Sequence, residues 1–176
     1  MPGLPSFSYG GQTYNTVQIG NQCWMKENLN YATGNSWCYD NDPANCNIYG
    51  RLYDWNTALN ACPPGWHLPS DTEWTMLTDF LGGEEVAGGK LKATTHWPSP
   101  NTGATNSSGF TGLPGGDRSQ WGTFLEMGFY GSWWSSTESE YSTTRAWFRI
   151  LLYNHADMNS SDLHKGNGFS VRCIKD

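Results

Sequence analysis

Cysteine is the first residue type in this chain whose chemistry has to be assigned, because thiols form disulfides, bind zinc or react. The chain holds five of them, at Cys23, Cys38, Cys46, Cys62 and Cys173. An odd number permits at most two disulfides and leaves one thiol over. Cys38 and Cys46 bracket the polar stretch CYDNDPANC, a short closure that suits a local disulfide. Zinc is the alternative, but the C-x-x-C spacing and nearby histidines that favour it are missing.

Carboxylates and hydroxyls offer the next candidate chemistry, which is hydrolysis. The acidic residues that could supply a pair for glycoside cleavage are Glu138, Glu140, Asp157 and Asp162. Their shared polar surroundings give no reason for the two different pKa values that such a pair needs. The G-x-S-x-G motif of a serine hydrolase does not occur in the sequence, and the four histidines are scattered. The sequence therefore predicts a protein that is not an enzyme.

The stretch DMNSSDLHKGNG begins like a calcium-binding EF-hand loop, with oxygen-bearing side chains at Asp157, Asn159 and Ser161. Asp162 stands where such a loop needs glycine, and Gly168 stands where it needs a bidentate glutamate. This spacing argues against an EF-hand. A structural calcium ion at the oxygen-rich DNDPAN turn or in the late loops stays open as an alternative, and we expect no other cofactor.

Length and composition limit the kinds of protein that this chain can be. Its 176 residues suit a single domain with its own core. The net charge of -6 and the lack of a Lys/Arg cluster argue against a nucleic-acid partner. No apolar run is long enough to span a bilayer, so we expect no membrane-spanning segment. The first residues, MPGLPSFSYGG, lack the regions of a signal peptide, so either an export signal is missing or the protein stays inside the cell.

Two helices are predicted in the first half of the chain. In YGRLYDWNTALNACPPGW, the residues Leu52, Trp55 and Leu59 share one helical face, and CPPG ends the helix. The second helix lies in PSDTEWTMLTDFLGG, where Ser70 and Glu73 have the spacing of a capping box. The GG pair ends this second helix. Its apolar face consists of Trp74, Leu77 and Leu81.

The second half of the chain is predicted to contain a long loop region followed by strands. Residues 94–122 are too long for an ordinary connection, and their aromatic residues Trp97, Phe110 and Trp121 favour an ordered excursion. After this excursion the chain alternates like a strand. One face carries Ala146, Phe148, Ile150 and Leu152, and the other carries Trp147, Arg149, Leu151 and Tyr153. In the last segment Phe169, Val171 and Cys173 face one way. The predicted fold class is α+β, with two early helices packed on a small antiparallel sheet.

Six stretches of the sequence resemble one bacterial module. They are GQTYNTVQIGNQCWMKENLNY, CYDNDPANCNIYGRLYDWNTAL, ACPPGWHLPSDTEWTML, LPGG, WWSSTE and GFSVRCIKD. In order and content they resemble the Fibrobacter succinogenes major paralogous domain. The match implies one domain over residues 11–176, after an N-terminal extension over residues 1–10. Cys23 stands where the module has a small polar residue, which makes it the expected unpaired thiol. Trp133 and Trp134 belong to a shared motif, and we expect them to be packing residues.

The module in turn resembles the C-type-lectin-like fold, which also houses the formylglycine-generating enzymes and the variable proteins of diversity-generating retroelements. In that fold a disulfide joins the end of the first helix to the last strand, which implies a Cys62–Cys173 pair. Two disulfides imply an oxidising compartment, hence the cell surface or the extracellular space. The Glu-Pro-Asn, Gln-Pro-Asp and Trp-Asn-Asp motifs of calcium-dependent sugar binding do not occur in the sequence.

The resemblance to retroelement-diversified proteins implies a ligand-binding region between WWSSTE and GFSVRCIKD. The implied positions are Tyr141, Thr143, Arg145, Trp147, Arg149, Leu151, Tyr153, His155, Asp157 and Asn159. Trp, Tyr and Arg contribute most to protein interfaces, and aromatic rings also stack on sugars. We therefore expect a glycan or a surface protein as the partner. The alternative for the Trp147-to-Tyr153 strand face is burial beneath the excursion of residues 94–122.

Three functions are compatible with these features. The first is a non-catalytic recognition or adhesion module at the bacterial surface, diversified by a retroelement. The second is a structural repeat module of an envelope protein. The third is an enzyme of the formylglycine-generating type. Such enzymes need a reactive cysteine pair, whereas here only Cys23 is not assigned to a disulfide.

Overall fold

The computed structural model of the protein describes residues 5–176, and this part contains thirteen strands and four α-helices. The strands are β1 (Ser6–Tyr9), β2 (Gln12–Ile19), β3 (Gln22–Met25), β4 (Ser36–Trp37), β5 (Leu52–Tyr53), β6 (Trp66–His67), β7 (Asp117–Arg118), β8 (Phe124–Leu125), β9 (Tyr130–Glu138), β10 (Arg145–Leu152), β11 (Asn159–His164), β12 (Phe169–Ser170) and β13 (Ile174–Lys175). The helices are α1 (Pro43–Tyr49), α2 (Trp55–Ala58), α3 (Asp71–Phe80) and α4 (Glu84–Leu91).

The strands form two main sheets and one small hairpin. The larger sheet has the order β11-β10-β9-β12-β5-β4, and the second has the order β1-β2-β3-β13-β6. Only the contact between β9 and β12 is parallel among these pairs. β12 and β13 carry the end of the chain into both sheets, where each lies between strands from earlier in the sequence. The structure is thus mixed α/β and predominantly β, with more sheet than the single small sheet that we expected.

The larger sheet separates two hydrophobic clusters. Trp133 and Trp134 are neighbours in β9, so they point to opposite faces of the sheet. Trp134 packs in a cluster with Phe148, whereas Trp133 packs in a second cluster with Leu151. Both tryptophans have no exposed surface, which confirms the prediction that they are packing residues.

The second predicted helix is confirmed as α3. Ser70 precedes it, and its Oγ accepts a hydrogen bond of 3.3 Å from the backbone N–H of Glu73. The Glu73 carboxylate in return accepts a bond of 2.8 Å from the backbone N–H of Ser70. The capping box therefore forms as the sequence spacing predicts. Trp74 and Leu77 on its apolar face are fully buried.

The first predicted helix is largely wrong, because its N-terminal part is a strand. Leu52 belongs to β5 and pairs with Ser170 of β12. The helix is reduced to α2, which begins after Asp54, whose carboxylate accepts a 2.8 Å bond from the backbone N–H of Thr57. Leu59 lies just beyond this helix and is 37% exposed. Three apolar residues at helical spacing were too few to outweigh sheet pairing with a distant strand.

Two further helices occur where the sequence indicated only polar or Gly-rich connections. α1 begins within the DNDPAN stretch, where Asp42 caps the helix and Pro43 occupies its first turn. α4 contains Gly88 and Gly89 because its backbone touches other backbone there. A side chain on Gly88 would collide with the carbonyl of Asp157, and one on Gly89 would collide with Gly103.

The excursion of residues 94–122 is ordered, as predicted, but only two of its three aromatic residues anchor it. Phe110 is fully buried and Trp97 is 8% exposed, and both belong to the cluster that contains Trp133. Trp97 also donates a 2.9 Å hydrogen bond from Nε1 to the carbonyl of Gly112. Trp121 is 85% exposed, so the prediction that it is an anchor is wrong.

Two disulfides are formed, Cys38–Cys46 and Cys62–Cys173, with Cα separations of 5.0 and 5.9 Å. Both are the predicted pairs, and Cys23 is a free cysteine, as expected. Residues 6–9 of the predicted N-terminal extension form β1 and pair with β2, whereas residues 1–4 lie outside the described residues. None of the helices within residues 5–176 is long and apolar enough to cross a membrane.

Candidate ligand-binding surface

Strand β11 forms one edge of the larger sheet and leaves one face of its neighbour β10 partly open. Antiparallel pairing sets Trp147 opposite Asp162 and Arg145 opposite His164, so these four side chains share a face. The connection between β9 and β10 adds Glu140 and Tyr141 beside Trp147. We call the side chains of Glu140, Tyr141, Arg145, Trp147, Asp162 and His164 the hairpin face.

Trp147 and Tyr141 form the aromatic part of the hairpin face. Tyr141 is 77% exposed, and its ring centroid lies 6.3 Å from that of the half-buried Trp147, in an edge-on arrangement. The indole Nε1 of Trp147 donates a 2.9 Å hydrogen bond to the carboxylate of Glu140. A hydrogen bond from the backbone N–H of Glu140 itself and, second, this bond from Trp147 lower the pKa of that carboxyl group. The indole ring is therefore held in one orientation at the surface.

Arg145 and Asp162 form the charged part of the same face. The Nε of Arg145 donates a 2.9 Å bond to the Asp162 carboxylate, and the Ser139 hydroxyl donates another of 2.7 Å. Both bonds lower the pKa of Asp162. Ser139 also accepts a 3.2 Å bond from the backbone N–H of Tyr141, which ties the connection to β11. The hairpin face thus contains two bonded pairs of side chains, Trp147 with Glu140 and Arg145 with Asp162.

Arg149 and Leu151 were predicted to continue this exposed surface, and that prediction is wrong. Arg149 is 1% exposed and Leu151 is fully buried. The Arg149 guanidinium lies 2.7 Å from a carboxylate oxygen of Asp71, at the start of α3, and 2.7 Å from one of Glu84, at the start of α4. The starts of α3 and α4 therefore cover this half of the strand face. Trp97 and Phe110 of the excursion pack in the same cluster as Leu151. The alternative prediction, burial beneath the excursion, is therefore confirmed in part.

The remaining predicted positions lie elsewhere. Tyr153 is about 20 Å along the chain from Trp147 at the usual rise of a strand, and its ring contacts Phe129 at 5.3 Å. His155 and Asp157 follow it, with 3.7 Å between the His155 Nδ1 and the Asp157 carboxylate. Asn159 pairs with Ile150 and so points to the opposite face of the sheet from Trp147.

Of the ten predicted positions, four therefore lie together at one end of the sheet. These are Tyr141, Thr143, Arg145 and Trp147, with the exposed Thr143 in the connection before β10. Sequence reasoning missed the contribution of Asp162 and His164, because strand register decides it. Glu140 and Asp162 are two of the four carboxylates from which a hydrolytic pair could be drawn, yet each is engaged by its own donor, Trp147 and Arg145 respectively.

The regions considered for calcium have regular structure. Half of the stretch that begins at Asp157 forms β11, and the DNDPAN turn leads into α1. Within residues 5–176, no three side chains of His, Cys, Asp or Glu come together in a way that could hold a metal ion.

A comparison with protein families shows to which family this chain belongs. The sequence model of the Fibrobacter succinogenes major domain matches residues 17–175 of the 176-residue chain. The chain belongs to this family. Among curated proteins and solved structures, no match to the chain was found. In this Fibrobacter succinogenes major domain, the motifs QCWMKENLNY and WWSSTE, on which the resemblance was based, supply buried core residues, such as Trp24, Met25 and Trp133. The hairpin face lies largely outside those motifs.

Proposed function

We propose that this Fibrobacter succinogenes major domain is a non-catalytic recognition module that binds a glycan or a protein at its hairpin face. The observation that carries the proposal is the pairing of an exposed tyrosine with a tryptophan whose ring is held by Glu140. Tyr, Trp and Arg dominate the binding energy of protein interfaces. Side chains that are already ordered lose less conformational entropy on binding, so a preorganised surface binds more tightly.

The proposal includes the finer fold, which is C-type-lectin-like. It is supported by the Cys62–Cys173 bond, which ties the chain just after α2 to its last segment. The order of α2, β6, α3, a long excursion and final strands also matches the topology expected from the resemblance.

We also propose an extracellular or cell-surface location and diversification by a retroelement. Two disulfides favour an oxidising compartment. The hairpin face sits on a frame fixed by buried tryptophans, so its side chains can change without altering the core. An alignment of family members with their most variable positions among residues 20–80 would contradict diversification at this face.

Binding of the purified domain to an array of glycans and surface proteins, with and without a chelator, tests the recognition proposal. The test variant is Tyr141→Ala/Trp147→Ala. Trp121→Ala is the matched control, because Trp121 is an exposed aromatic residue on the separate turn between β7 and β8. We expect the double variant to weaken binding at least about tenfold, the size of effect that interface hot spots show. The control should bind like the wild type.

Two outcomes would reject the hairpin face as the binding site. One is equal binding by the double variant, and the other is an equal loss in the Trp121→Ala control. If the wild type binds nothing on the array, the structural repeat module becomes the leading function, and self-association in solution is then expected. Thiol-dependent turnover that disappears in Cys23→Ser would instead favour the enzyme.

A further inference from the structure

A cleft of about 260 Å³ lies on another part of the molecule, between β2, the segment after β3, and α1. Its lining includes Gln12, Lys26, Asn30, Asn47 and Ile48. Ligand pockets for drug-sized molecules have volumes of roughly 300–1,000 Å³, so this cleft suits something slightly smaller. The hairpin face shares none of these residues.

The wall of the cleft is rigid. α1 is tied to the preceding segment by the Cys38–Cys46 disulfide. The helix ends at Gly50, where φ is 75°, and a side chain there would lie 2.7 Å from the Cβ of Asn28. Gly50 therefore lets the end of α1 press directly against the cleft floor. A preformed wall is what a small-molecule site needs, because little ordering remains to be done when the ligand binds.

Several polar side chains of the cleft are not hydrogen-bonded to other groups in the described part of the protein. Within residues 5–176, the side chains of Gln12, Lys26, Asn30 and Asn47 make no hydrogen bond or ion pair. Asn28, on the floor, is different: its Oδ1 accepts bonds of 2.8 Å from Trp133 and 2.7 Å from Arg172. The floor is thus fully bonded, whereas the rim presents free amide donors and acceptors beside an ammonium group.

The charges around the cleft favour an anionic group. Glu27 is occupied, because its two carboxylate oxygens accept 2.8 Å bonds from the backbone and the side chain of Asn15. Arg172 lies fully buried beneath the floor, where its hydrogen bonds go to neutral oxygens such as the carbonyl of Lys26. Burial lowers the pKa of Arg172 to about 9, so it stays charged at neutral pH. Lys26 and Arg172 together outweigh Glu27 by one positive charge.

From the convergence of free amides, a free lysine and a rigid, monosaccharide-scale cleft, we propose that this cleft binds an acidic sugar. The carboxylate of the sugar pairs with Lys26. The ring hydroxyls exchange hydrogen bonds with Asn30, Asn47 and Gln12, which can both donate and accept. The apolar face of the ring rests against Ile48, which is 48% exposed. This site goes beyond the recognition proposed for the hairpin face and does not depend on it.

Titration of the 15N-labelled domain with glucuronate, glucose and acetate tests this site. The variants are Lys26→Met, which keeps the length of the side chain, and Asn47→Ala. Matched controls are Lys175→Met and Asn154→Ala, which change exposed residues of the same types away from the cleft. We expect saturable glucuronate binding that is at least about tenfold weaker in Lys26→Met, the loss expected for a charge-assisted pair. Both controls should bind glucuronate like the wild type.

The other two probes separate the parts of the proposal. Glucose should bind more weakly than glucuronate, and its affinity should fall in Asn47→Ala but not in Lys26→Met. Acetate that binds as tightly as glucuronate would overturn the sugar assignment. The site itself is overturned if no probe shifts signals of the cleft residues at concentrations up to about 10 mM, or if both variants bind glucuronate normally. Tyr141→Ala/Trp147→Ala should keep full glucuronate affinity, so the two sites fail separately.

Discussion

The two halves of strand β10 show how differently one sheet face can be used. Arg145 and Arg149 lie on the same face, four residues apart, and each pairs with a carboxylate. The Arg145 side chain is 39% exposed, whereas that of Arg149 is 2% exposed. Strand alternation is the same for both, so alternation assigns a face but not its exposure. The exposure of the two arginines differs because α3 and α4 begin over Arg149 and bury it.

This difference separates two roles for the same residue type. Arg145 holds Asp162 in a surface network that stays accessible to a ligand. Arg149 instead donates hydrogen bonds to Asp71 and Thr75 of α3 and to Glu84 of α4. These bonds hold the N-terminal parts of both helices against the sheet. The covered half stabilises the domain, and the open half presents side chains on it.

The sharpest test of this difference compares Arg149→Ala with Arg145→Ala. Removing Arg149 leaves the Asp71 and Glu84 carboxylates without their partner and opens space beneath two helices. We expect a loss of about 3 kcal/mol in the free energy of unfolding, within the range for truncating a large buried side chain to alanine. Arg145→Ala should cost no more than about 1 kcal/mol, because exposed pairs contribute little. Urea denaturation of both variants measures the two values.

Equal losses of unfolding free energy in the two variants would show that the two halves of β10 are buried to the same extent. Arg149→Met is a useful third variant, because it keeps much of the buried side-chain volume. If it recovers most of the stability, packing beneath the helices matters more than the charges.

A second test uses Lys92, which holds the covered end of β10. Lys92 is fully buried, and its Nζ donates bonds of 3.0 Å to the carbonyl of Leu152 and 2.6 Å to that of His155. Burial lowers the pKa of Lys92 to about 8 from the ordinary 10.5, although Asp157 opposes the shift. Between these two values the unfolded chain keeps the proton that the folded protein has lost. The contribution of Lys92 to stability therefore rises as the pH rises from about 8 to 10.5.

The measurement is the free energy of unfolding of the wild type and of Lys92→Met at several pH values from about 7.5 to 10. Subtracting the two curves removes the contributions of other groups, including the tyrosines. The wild type should gain stability relative to the variant as the pH rises. Parallel curves would mean that Lys92 keeps its ordinary pKa and is hydrated. Lys90→Met serves as a control, because Lys90 lies in the same region without that degree of burial.

Local signals in the sequence predicted the elements that local interactions decide. The Ser70 to Glu73 spacing predicted α3, since a capping box is complete within four residues. The resemblance, rather than spacing, supplied the Cys62–Cys173 pair. Leu52 was assigned to a helix, because its pairing with Ser170 joins residues far apart in the chain. α4 was missed because its glycines, poor helix formers, are required there by close backbone contacts.

The candidate site was predictable to the same extent. Tyr141 and Trp147 were identified from residue type and position, and they lie together. Asp162 joins them through strand register, which needs the three-dimensional pairing of β10 with β11. Arg149 looked like a surface residue, since the acidic residues that neutralise it come from the starts of two helices distant in sequence. The residue pattern of a strand does not show which remote segments of the chain will pack over it.

The smallest expected effect concerns Asp162, and it tests whether the open half is preorganised. Bonds from Arg145 and Ser139 lower the pKa of Asp162 below its ordinary 3.8. Because the folded-state pKa is depressed, the associated stability is present above the unfolded pKa and is lost as the pH falls through the folded one. The surface position of the group keeps this stability below about 1 kcal/mol. The pKa itself, measured by NMR titration of the side-chain carboxyl, is therefore the better observable.

Arg145→Gln removes the charge but keeps a hydrogen-bond donor, so the pKa of Asp162 should move part of the way back toward 3.8. Ser139→Ala should move it in the same direction through loss of one bond. If neither variant shifts the titration, Asp162 is not held by these partners in solution. The charged part of the hairpin face would then have to be ordered by the ligand, and binding would lose the entropic advantage that preorganisation gives. In that case the aromatic pair alone would have to account for affinity.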